Sequence, residues 1–194
     1  MQRLRVGPPN TDEADISLLR RIAAGDREAL SELYEQYQRA LFRYLCQLIP
    51  ERGLAEEVLQ DTLVAVWRSA GSFEGRSLLR TWLFGVARRQ AHNALRLRGV
   101  QVVASEELAK VPDNGPGTED QAIARAELQE LARATQRLSL VHREVLALAF
   151  VNGLSYEEMS QVLEVPQGTV KSRLSNARRA LRMLLEEPHH DANR

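Results

Sequence analysis

Residues 154–174 read LSYEEMSQVLEVPQGTVKSRL and contain the signals of two consecutive helices. Ser155 followed three positions later by Glu158 is a capping box, a pattern typical of the start of a helix. The break after Leu163 is only two residues long, and Pro166 then suits the first position of a new helix. The stretch therefore predicts two helices joined by a tight turn, a helix-turn-helix.

The second of these helices has one apolar and one polar face. Apolar residues recur at spacings of 4, 3, 4 and 3 and predict one buried stripe: Val170, Leu174, Ala177, Leu181 and Leu184. The opposite face carries hydrogen-bonding and cationic side chains and no acid: Lys171, Ser172, Ser175, Asn176 and Arg179. A helix in the DNA major groove requires such a face, and Thr169 lies in the first turn, where backbone amides favour a phosphate. A polar face that is simply solvated is the alternative.

A second basic helix is predicted over residues 78–97. At about 100° per residue, one group of side chains falls together as the core face: Leu83, Ala87, Ala91 and Ala94. A different face, within about 60°, carries Trp82, Arg89, Asn93 and Arg96. A ring beside cations suits single-stranded DNA, because bases stack on aromatic rings and phosphates pair with arginines. The alternative is that Trp82 covers the edge of the core and the arginines are solvated.

The two segments before this helix differ in character. The loop of residues 69–77 holds Phe73, Arg76 and two glycines, and such a loop could receive a base extruded from a duplex. The helix predicted over residues 54–70 instead has an acidic face of Glu56, Glu57, Gln60 and Asp61. That face would repel DNA and therefore favours a protein partner, with a solvated charged face as the alternative.

The remaining features limit the kind of protein. The chain has 194 residues and no net charge, and no apolar run approaches the roughly 20 residues of a membrane span. Neither membrane insertion nor a signal peptide is predicted. Cys46, the single cysteine, is interpreted as a buried structural thiol, and His189 and His190 as part of a frayed tail and not a metal site.

Charge and composition divide the chain into parts. Two basic helices are separated by an acidic connector between Glu106 and Glu130, within which Pro112, Gly115 and Pro116 favour a linker. The predicted fold is all-α, with two small helical domains joined by a flexible linker. The predicted parts are a disordered N-terminus (1–15), a first helical domain (16–98), the linker (99–119), a second helical domain (120–186) and a disordered tail (187–194).

Three segments together resemble the extracytoplasmic-function (ECF, group IV) sigma factors of bacterial RNA polymerase. Residues 55–67, AEEVLQDTLVAVW, resemble their polymerase-binding helix. Residues 73–89, which begin FEGRS and end ARR, resemble their −10 segment, and residues 154–174 resemble their −35 helix-turn-helix. Three positions depart from the family's usual residues: Arg89 (often asparagine), Asn93 (usually aspartate) and Glu164 (usually the turn glycine).

The resemblance implies a sigma region 2 bundle, a sigma region 4 helix-turn-helix and a role in directing polymerase to promoters. The residues implied to dock on the β′ clamp helices are Glu57, Gln60, Asp61 and Leu63. The residues implied to capture the melted −10 strand are Phe73, Arg76, Trp82, Arg88, Arg89, Asn93 and Arg96. The residues implied to contact the −35 duplex are Thr169, Lys171, Ser172, Arg173, Ser175, Asn176 and Arg179. The linker would thread the polymerase RNA-exit path.

The implied partners are core RNA polymerase (β and β′ subunits), promoter DNA and an anti-sigma factor. The implied protein is cytoplasmic, is not an enzyme and has no cofactor. One alternative is a helix-turn-helix regulator that binds an operator without acting as a polymerase subunit, but it predicts a receiver or dimerisation domain where this chain has an arginine-rich helix. An adaptor that binds only proteins, or a helical enzyme, is a further alternative; the scattered histidines favour no active site.

Overall fold

A computed structural model describes residues 13–98 and 119–186, and every regular element within them is helical. The elements are α1 (Glu13–Ala23), α2 (Arg27–Leu48), α3 (Arg52–Ser69), a 3₁₀ turn (Ala70–Ser72), α4 (Leu79–Leu97), α5 (Glu119–Gln136), α6 (Leu140–Leu146), a π-helical turn (Ala147–Val151), α7 (Tyr156–Leu163) and α8 (Gln167–Glu186). We call α1–α4 the N-terminal unit and α5–α8 the C-terminal unit.

The helix starts follow local capping chemistry. The Asp26 carboxylate accepts hydrogen bonds from the backbone N–H groups of Glu28 (2.9 Å) and Ala29 (3.1 Å), and it thereby caps α2. Helix α1 begins at Glu13, three residues before the predicted start at Ile16. The acidic residues of its first turn suit the positive end of the helix dipole, which explains the earlier start.

Parts of the predicted organisation lie outside the described residues. These parts are residues 1–12, residues 99–118 of the proposed linker and the tail, residues 187–194. Helix α5 begins at Glu119, one residue before the expected start of the second domain.

The N-terminal unit packs four helices around one core. Leu83, Ala87 and Ala91 of α4 are fully buried, as predicted, whereas Ala94 is only partly buried. Burial extends beyond the predicted face, because Phe84 packs edge-to-face on Tyr44 of α2 with ring centroids 5.3 Å apart. This core fixes α4 and so determines which of its side chains reach the surface.

Tyr44 allows a test of this core. Its ring is fully buried, and its hydroxyl oxygen has no hydrogen-bond partner among the described residues. Because a buried polar atom without a partner is destabilising, Tyr44→Phe should raise the free energy of unfolding by about 1 kcal/mol in urea denaturation. Tyr34→Phe, at an exposed hydroxyl, is the control and should change nothing. A loss of stability in Tyr44→Phe would contradict the assignment.

The C-terminal unit contains the predicted helix-turn-helix. In the capping box, Ser155 Oγ accepts from the Glu158 backbone N–H (3.3 Å), and Glu158 Oε2 accepts from the Ser155 backbone N–H (2.9 Å). Pro166 precedes α8 and accepts from the N–H of Thr169 (2.9 Å), so it caps the helix and is not its first residue. Val170, Leu174 and Ala177 are buried as predicted, while Leu181 and Leu184 are partly buried.

The turn between α7 and α8 contains a left-handed residue, and in this chain that residue is Glu164 instead of the usual glycine. Glu164 has φ 55° and ψ 43°, a left-handed conformation that costs a residue with a side chain roughly 1–2 kcal/mol. The backbone N–H of Val165 donates to the Ser160 carbonyl (3.1 Å), and Ser160 Oγ donates to the Val165 carbonyl (2.7 Å). These two bonds support the strained residue.

The two units pack directly against each other. Helix α7 lies against α4, and α6 with its π-helical turn lies against α2. Buried residues of both units form one continuous cluster. Glu144 of α6 and Glu158 of α7 are buried at this junction, with exposed fractions of 1% and 7%. No pattern in the sequence predicted this arrangement.

Candidate nucleic-acid interface

The outer face of α8 is exposed and carries the predicted polar and cationic groups. Its exposed members are Lys171, Ser172, Ser175, Asn176 and Arg179, while Thr169 and Arg173 are half-buried. Three of these side chains are engaged within the helix, since Ser172 Oγ donates to the Thr169 carbonyl (2.9 Å) and Arg179 Nη2 donates to Asn176 Oδ1 (3.0 Å). The face is therefore cationic, accessible and partly preorganised.

Two aromatic rings border this face and hold cations. The Lys171 ammonium lies 5.6 Å from the ring centroid of Tyr156, the first residue of α7. The Arg178 guanidinium lies 5.0 Å from the ring centroid of Phe150. Both rings are exposed. No pattern in the sequence indicated Tyr156 or Phe150, because a contact between a ring and a cation on different elements leaves no periodic signal.

On α4 the structure brings together most of the predicted −10 residues. Trp82 is half-buried, and its ring meets the ring of Phe73 at 60° with centroids 5.4 Å apart. Arg89, Asn93 and Arg96 are exposed farther along the same side of the helix, about 10 to 21 Å from Trp82 at a rise of 1.5 Å per residue. The tryptophan therefore does both things that the sequence left open: it packs against the core edge and borders an exposed cationic surface.

The loop before α4 lies next to this surface. Arg76 is exposed and forms an ion pair with Glu74, its neighbour in the loop. Gly75 has φ +70°, a conformation that favours glycine, and a Cβ there would lie 3.6 Å from Ile16 Cδ1 of α1. At 3.6 Å that contact would be an ordinary van der Waals contact, so the positive φ alone is what favours glycine here. Arg76 is exposed.

Arg88 is the predicted −10 residue that lies elsewhere. It is about 120° from Trp82 around the helix, and its side chain is only 21% exposed. Its Nε donates to Glu144 Oε1 of the C-terminal unit at 3.1 Å. The His92 ring contacts the same carboxylate oxygen. In this structure Arg88 therefore belongs to the junction between the units.

The junction pairs cations of α4 with carboxylates of the C-terminal unit. Arg80 Nε donates to Glu158 Oε1 (2.5 Å), and Thr81 Oγ1 lies 3.5 Å from the same oxygen. Burial alone would raise the pKa of the Glu158 carboxyl, but hydrogen bonds from Arg80 and Ser155 outweigh it and hold that pKa below its ordinary value. Glu158 is therefore an anion at neutral pH.

The acidic face of α3 is exposed. Glu57, Gln60 and Asp61 are exposed, whereas Leu63 is partly buried and packs against the core. Val64 is 48% exposed and falls between Gln60 and Asp61 around the helix. The sequence did not indicate Val64 as a surface residue of interest, because a single apolar residue on a polar helix face produces no periodic pattern.

A groove joins this face to the −10 surface. It runs between α3 and α4, and its lining includes Asp61, Val64, Arg89, Gln90 and Asn93. The acidic and the cationic surfaces of the N-terminal unit are thus immediate neighbours.

Comparison with known proteins identifies both units. Residues 33–100 match Sigma-70 region 2, and residues 128–181 match Sigma-70 region 4. RNA polymerase sigma factor NccH of Alcaligenes xylosoxydans xylosoxydans is 31% identical over 183 residues, which are 92% of this chain and 96% of that protein. ECF RNA polymerase sigma factor SigK of Mycobacterium tuberculosis is 30% identical over 93% of this chain and 98% of its own length.

Solved structures of sigma factors are similar to this chain over most of its length. CnrH in complex with the cytosolic domain of CnrY gives a TM-score of 0.65 at 27% identity, covering 89% of this chain and 97% of that one. The sigma factor RpoE of Bartonella quintana, in complex with the anti-sigma factor NepR, gives 0.64 at 30% identity, covering 81% and 98%. The chain belongs to the ECF family of RNA polymerase sigma factors.

The family membership confirms the predicted fold class, an all-helical chain with a region 2 unit and a region 4 unit. None of the described helices has the length and apolar character to cross a membrane. The boundaries of the two domains and the roles of the individual site residues stay predictions.

Proposed function

We propose that this chain is a dissociable subunit of RNA polymerase that directs the core enzyme to specific promoters. It reads the −35 element as duplex and the −10 element as a melted single strand. The observation that supports this most directly is the presence of two separate cationic helix faces, on α8 and α4, in one member of the sigma family. A duplex reader and a single-strand reader in one chain are what promoter opening requires.

The −35 element is assigned to α8. Lys171, Ser172, Ser175 and Asn176 would contact base edges in the major groove, because their side chains are exposed donors and acceptors on one face. Thr169, Arg173 and Arg179 would contact phosphates and fix the register of the helix.

The −10 element is assigned to α4 and the loop before it. A base would stack on the exposed part of Trp82 or enter the loop at Phe73, while Arg76, Arg89 and Arg96 bind phosphates and Asn93 contacts a base. Arg88 can join this surface only when the junction between the units opens.

The acidic face of α3 is assigned to the polymerase. Glu57, Gln60 and Asp61 offer charged and polar groups to the β′ clamp helices, and Val64 adds an apolar contact at their centre. Leu63 would support this face from beneath. Because CnrH and RpoE were solved with CnrY and with the anti-sigma factor NepR, we also assign an anti-sigma partner to this chain. The proposed location is the cytoplasm, where polymerase acts.

No catalytic role is proposed, since the polymerase performs the chemistry. A regulator that binds an operator without polymerase is the second candidate, and the helix-turn-helix alone would suit it. The match of residues 33–100 to Sigma-70 region 2 favours the sigma function over this candidate.

The test is promoter opening by the reconstituted holoenzyme. Core polymerase with the purified chain should select a set of promoters from a random library, and permanganate should then detect unpaired thymines near their start sites. The chain alone should bind these duplexes weakly, because its net charge is zero. Operator binding by the chain alone, with no unpaired thymines in any selected DNA, would favour the second candidate.

Tyr156 gives a finer test of −35 recognition. Tyr156→Leu removes the ring beside Lys171 and should lower the preference for an intact over an altered −35 element about two- to fivefold, the value of an exposed cation–π contact. Tyr156→Phe keeps the ring and should retain the preference. The measurement is competition between the two promoters for the holoenzyme. If Tyr156→Leu lowered the preference equally in a Lys171→Ala background, the ring would act independently of Lys171.

A further inference from the structure

We propose that α1 positions the −10 loop, which we define as residues 70–77, and that Ile16 is the positioning residue through which it does so. Helix α1 supports the loop backbone from behind and keeps the loop in the shape that accepts an extruded DNA base. Ile16 acts through the loop and not on DNA. The inference rests on the proposed function, which assigns this loop to the −10 element.

Helix α1 has a fixed position in the N-terminal unit. Its buried residues are Leu18, Leu19 and Ile22, and it packs against α2, α3 and the 3₁₀ turn at the start of the loop. Near its C-terminal end, Arg21 Nε donates to Asp26 Oδ2 (2.8 Å) and Arg21 Nη1 donates to Glu32 Oε2 of α2 (3.0 Å). Because its apolar side is part of the core, α1 is a firm support for whatever rests on it.

This helix runs along the loop in the opposite chain direction. Near the start of α1, Ile16 Cδ1 lies 3.6 Å from where a Cβ at Gly75 would be; near its end, Ala23 Cβ lies 3.7 Å from the corresponding position at Gly71. Ile16 and Ala23 are about 10 Å apart along the helix at 1.5 Å per residue. The four residues from Gly71 to Gly75 reach at most about 14 Å. Helix α1 therefore contacts the loop near both of its ends.

The loop has an inner and an outer row of residues. Exposure alternates along it: the exposed outer row is Ser72, Glu74 and Arg76, and the half-buried inner row is Phe73, Gly75 and Ser77. The ring of Phe73 contacts Trp82 of α4, with centroids 5.4 Å apart, while Gly75 lies against Ile16 of α1. The inner row is thus held from two sides, and the direction in which the outer row faces DNA depends on both contacts.

The α1 contact matters most at Gly75. A glycine populates positive and negative φ about equally well, so its backbone alone does not keep the φ of +70° that the loop has here. A base binds only the fraction of loops that have the competent shape, and packing against Ile16 raises that fraction. Arg89 and Arg96 lie on α4, outside the loop, so phosphate contacts made there do not depend on Ile16.

The test measures how much each −10 base contributes to binding. Holoenzyme is bound to a promoter fragment that is unpaired over the −10 element, and each base of its single strand is replaced in turn by an abasic site. The ratio of the Kd for the abasic fragment to the Kd for the intact one reports the contribution of that base. In the parent, at least one position should give a ratio of about fivefold or more, the lower limit for a base stacked on protein.

Ile16→Ala should bring that ratio below about twofold at one or more of these positions, because groups that act through one another are not additive. Ile16→Leu keeps a δ-methyl group that can reach the loop and should retain the ratio. The control for lost core packing is Val58→Ala, at a site 1% exposed and about 16 Å before Ser69 along α3. It should also retain the ratio.

Parental ratios in Ile16→Ala at every sensitive position would overturn the proposal, even if this variant bound all fragments more weakly, since α1 would then only stabilise the unit. An equal loss of the ratio in Val58→Ala would overturn it as well. If circular dichroism shows that Ile16→Ala is unfolded, Ile16→Val, which removes Cδ1 alone, is judged by the same ratios.

The parent separates this proposal from the proposed function. If no abasic position weakens binding of the parental holoenzyme, the −10 assignment of the proposed function fails, and the role of α1 fails with it. If the parent has sensitive positions and Ile16→Ala keeps them all, the −10 assignment stands and only the role of α1 is refuted.

Discussion

Trp82→Ala should reduce promoter opening by the holoenzyme roughly 5- to 150-fold. Stacking of a base on an aromatic side chain is worth about 1–3 kcal/mol, and each 1.4 kcal/mol is tenfold in an equilibrium constant. The ring is half-buried, with Phe73 against it and exposed cations farther along the same side of the helix, so it offers a supported platform at the DNA surface. Permanganate reactivity of the −10 thymines, at equal occupancy of the promoter, measures the effect.

Two further variants show whether the ring acts by stacking. Trp82→Phe keeps an aromatic face and should retain most of the promoter opening. Trp82→Ala and Trp82→Phe should both bind core polymerase as the parent does. Arg89→Ala removes a phosphate contact instead, so it should weaken binding evenly across sequences and reduce the salt slope by about one. Opening at the parental level in Trp82→Ala would show that the ring only covers the core edge.

Leu174→Ala should destabilise the C-terminal unit by about 2–5 kcal/mol, the usual cost of emptying a buried leucine site. Leu174 is 3% exposed and belongs to the stripe that holds α8 on the unit. Without that stripe, α8 cannot hold its outer face in position, so recognition of the −35 element should be lost. Urea denaturation and footprinting of the −35 region measure the two effects.

A control variant for Leu174→Ala lies on the same helix. Met183→Ala shortens a side chain that is 62% exposed and should leave both stability and −35 protection near the parental values. Leu174→Ala should still bind core polymerase, because the acidic face of α3 belongs to the other unit. Equal loss of polymerase binding and −35 protection would contradict the separation of these two surfaces.

Local chemistry is what the sequence predicts well. The capping box of Ser155 and Glu158 involves residues three positions apart, and it forms the expected hydrogen bonds. The stripe through Val170 and Leu174 is buried because helical periodicity places those side chains on one face. Such features depend on neighbours along the chain, and they were sufficient for the helices and for the outer face of α8.

Contacts between distant parts of the chain could not be predicted in this way. Arg88 and Glu144 are separated by 56 positions, and each alone has the pattern of an exposed charged residue. Arg143 is fully buried, with only Nη1 bonded, to Gln136 Oε1 (2.7 Å), among the described residues. Helical periodicity predicts that such charged residues are exposed to solvent. Their burial is seen only in the packing of the two units. For that reason the sequence did not indicate the contact of Arg88 with Glu144, and the role of Arg88 at the −10 strand stays a prediction.

At the junction every cation comes from α4 and every carboxylate from the C-terminal unit. This arrangement limits which domains of related proteins can be exchanged. Transplanting the helix-turn-helix of a relative onto this N-terminal half would bring whatever that relative carries at the positions of Glu144 and Glu158. A lysine at either position would repel Arg80 or Arg88, and the two units of the chimaera would separate. An apolar residue there would leave the charge of Arg80 or Arg88 without its ion-pair partner. A designer who wishes to exchange promoter preference should therefore graft the outer face of α8 alone and leave the inner carboxylates with their native partners.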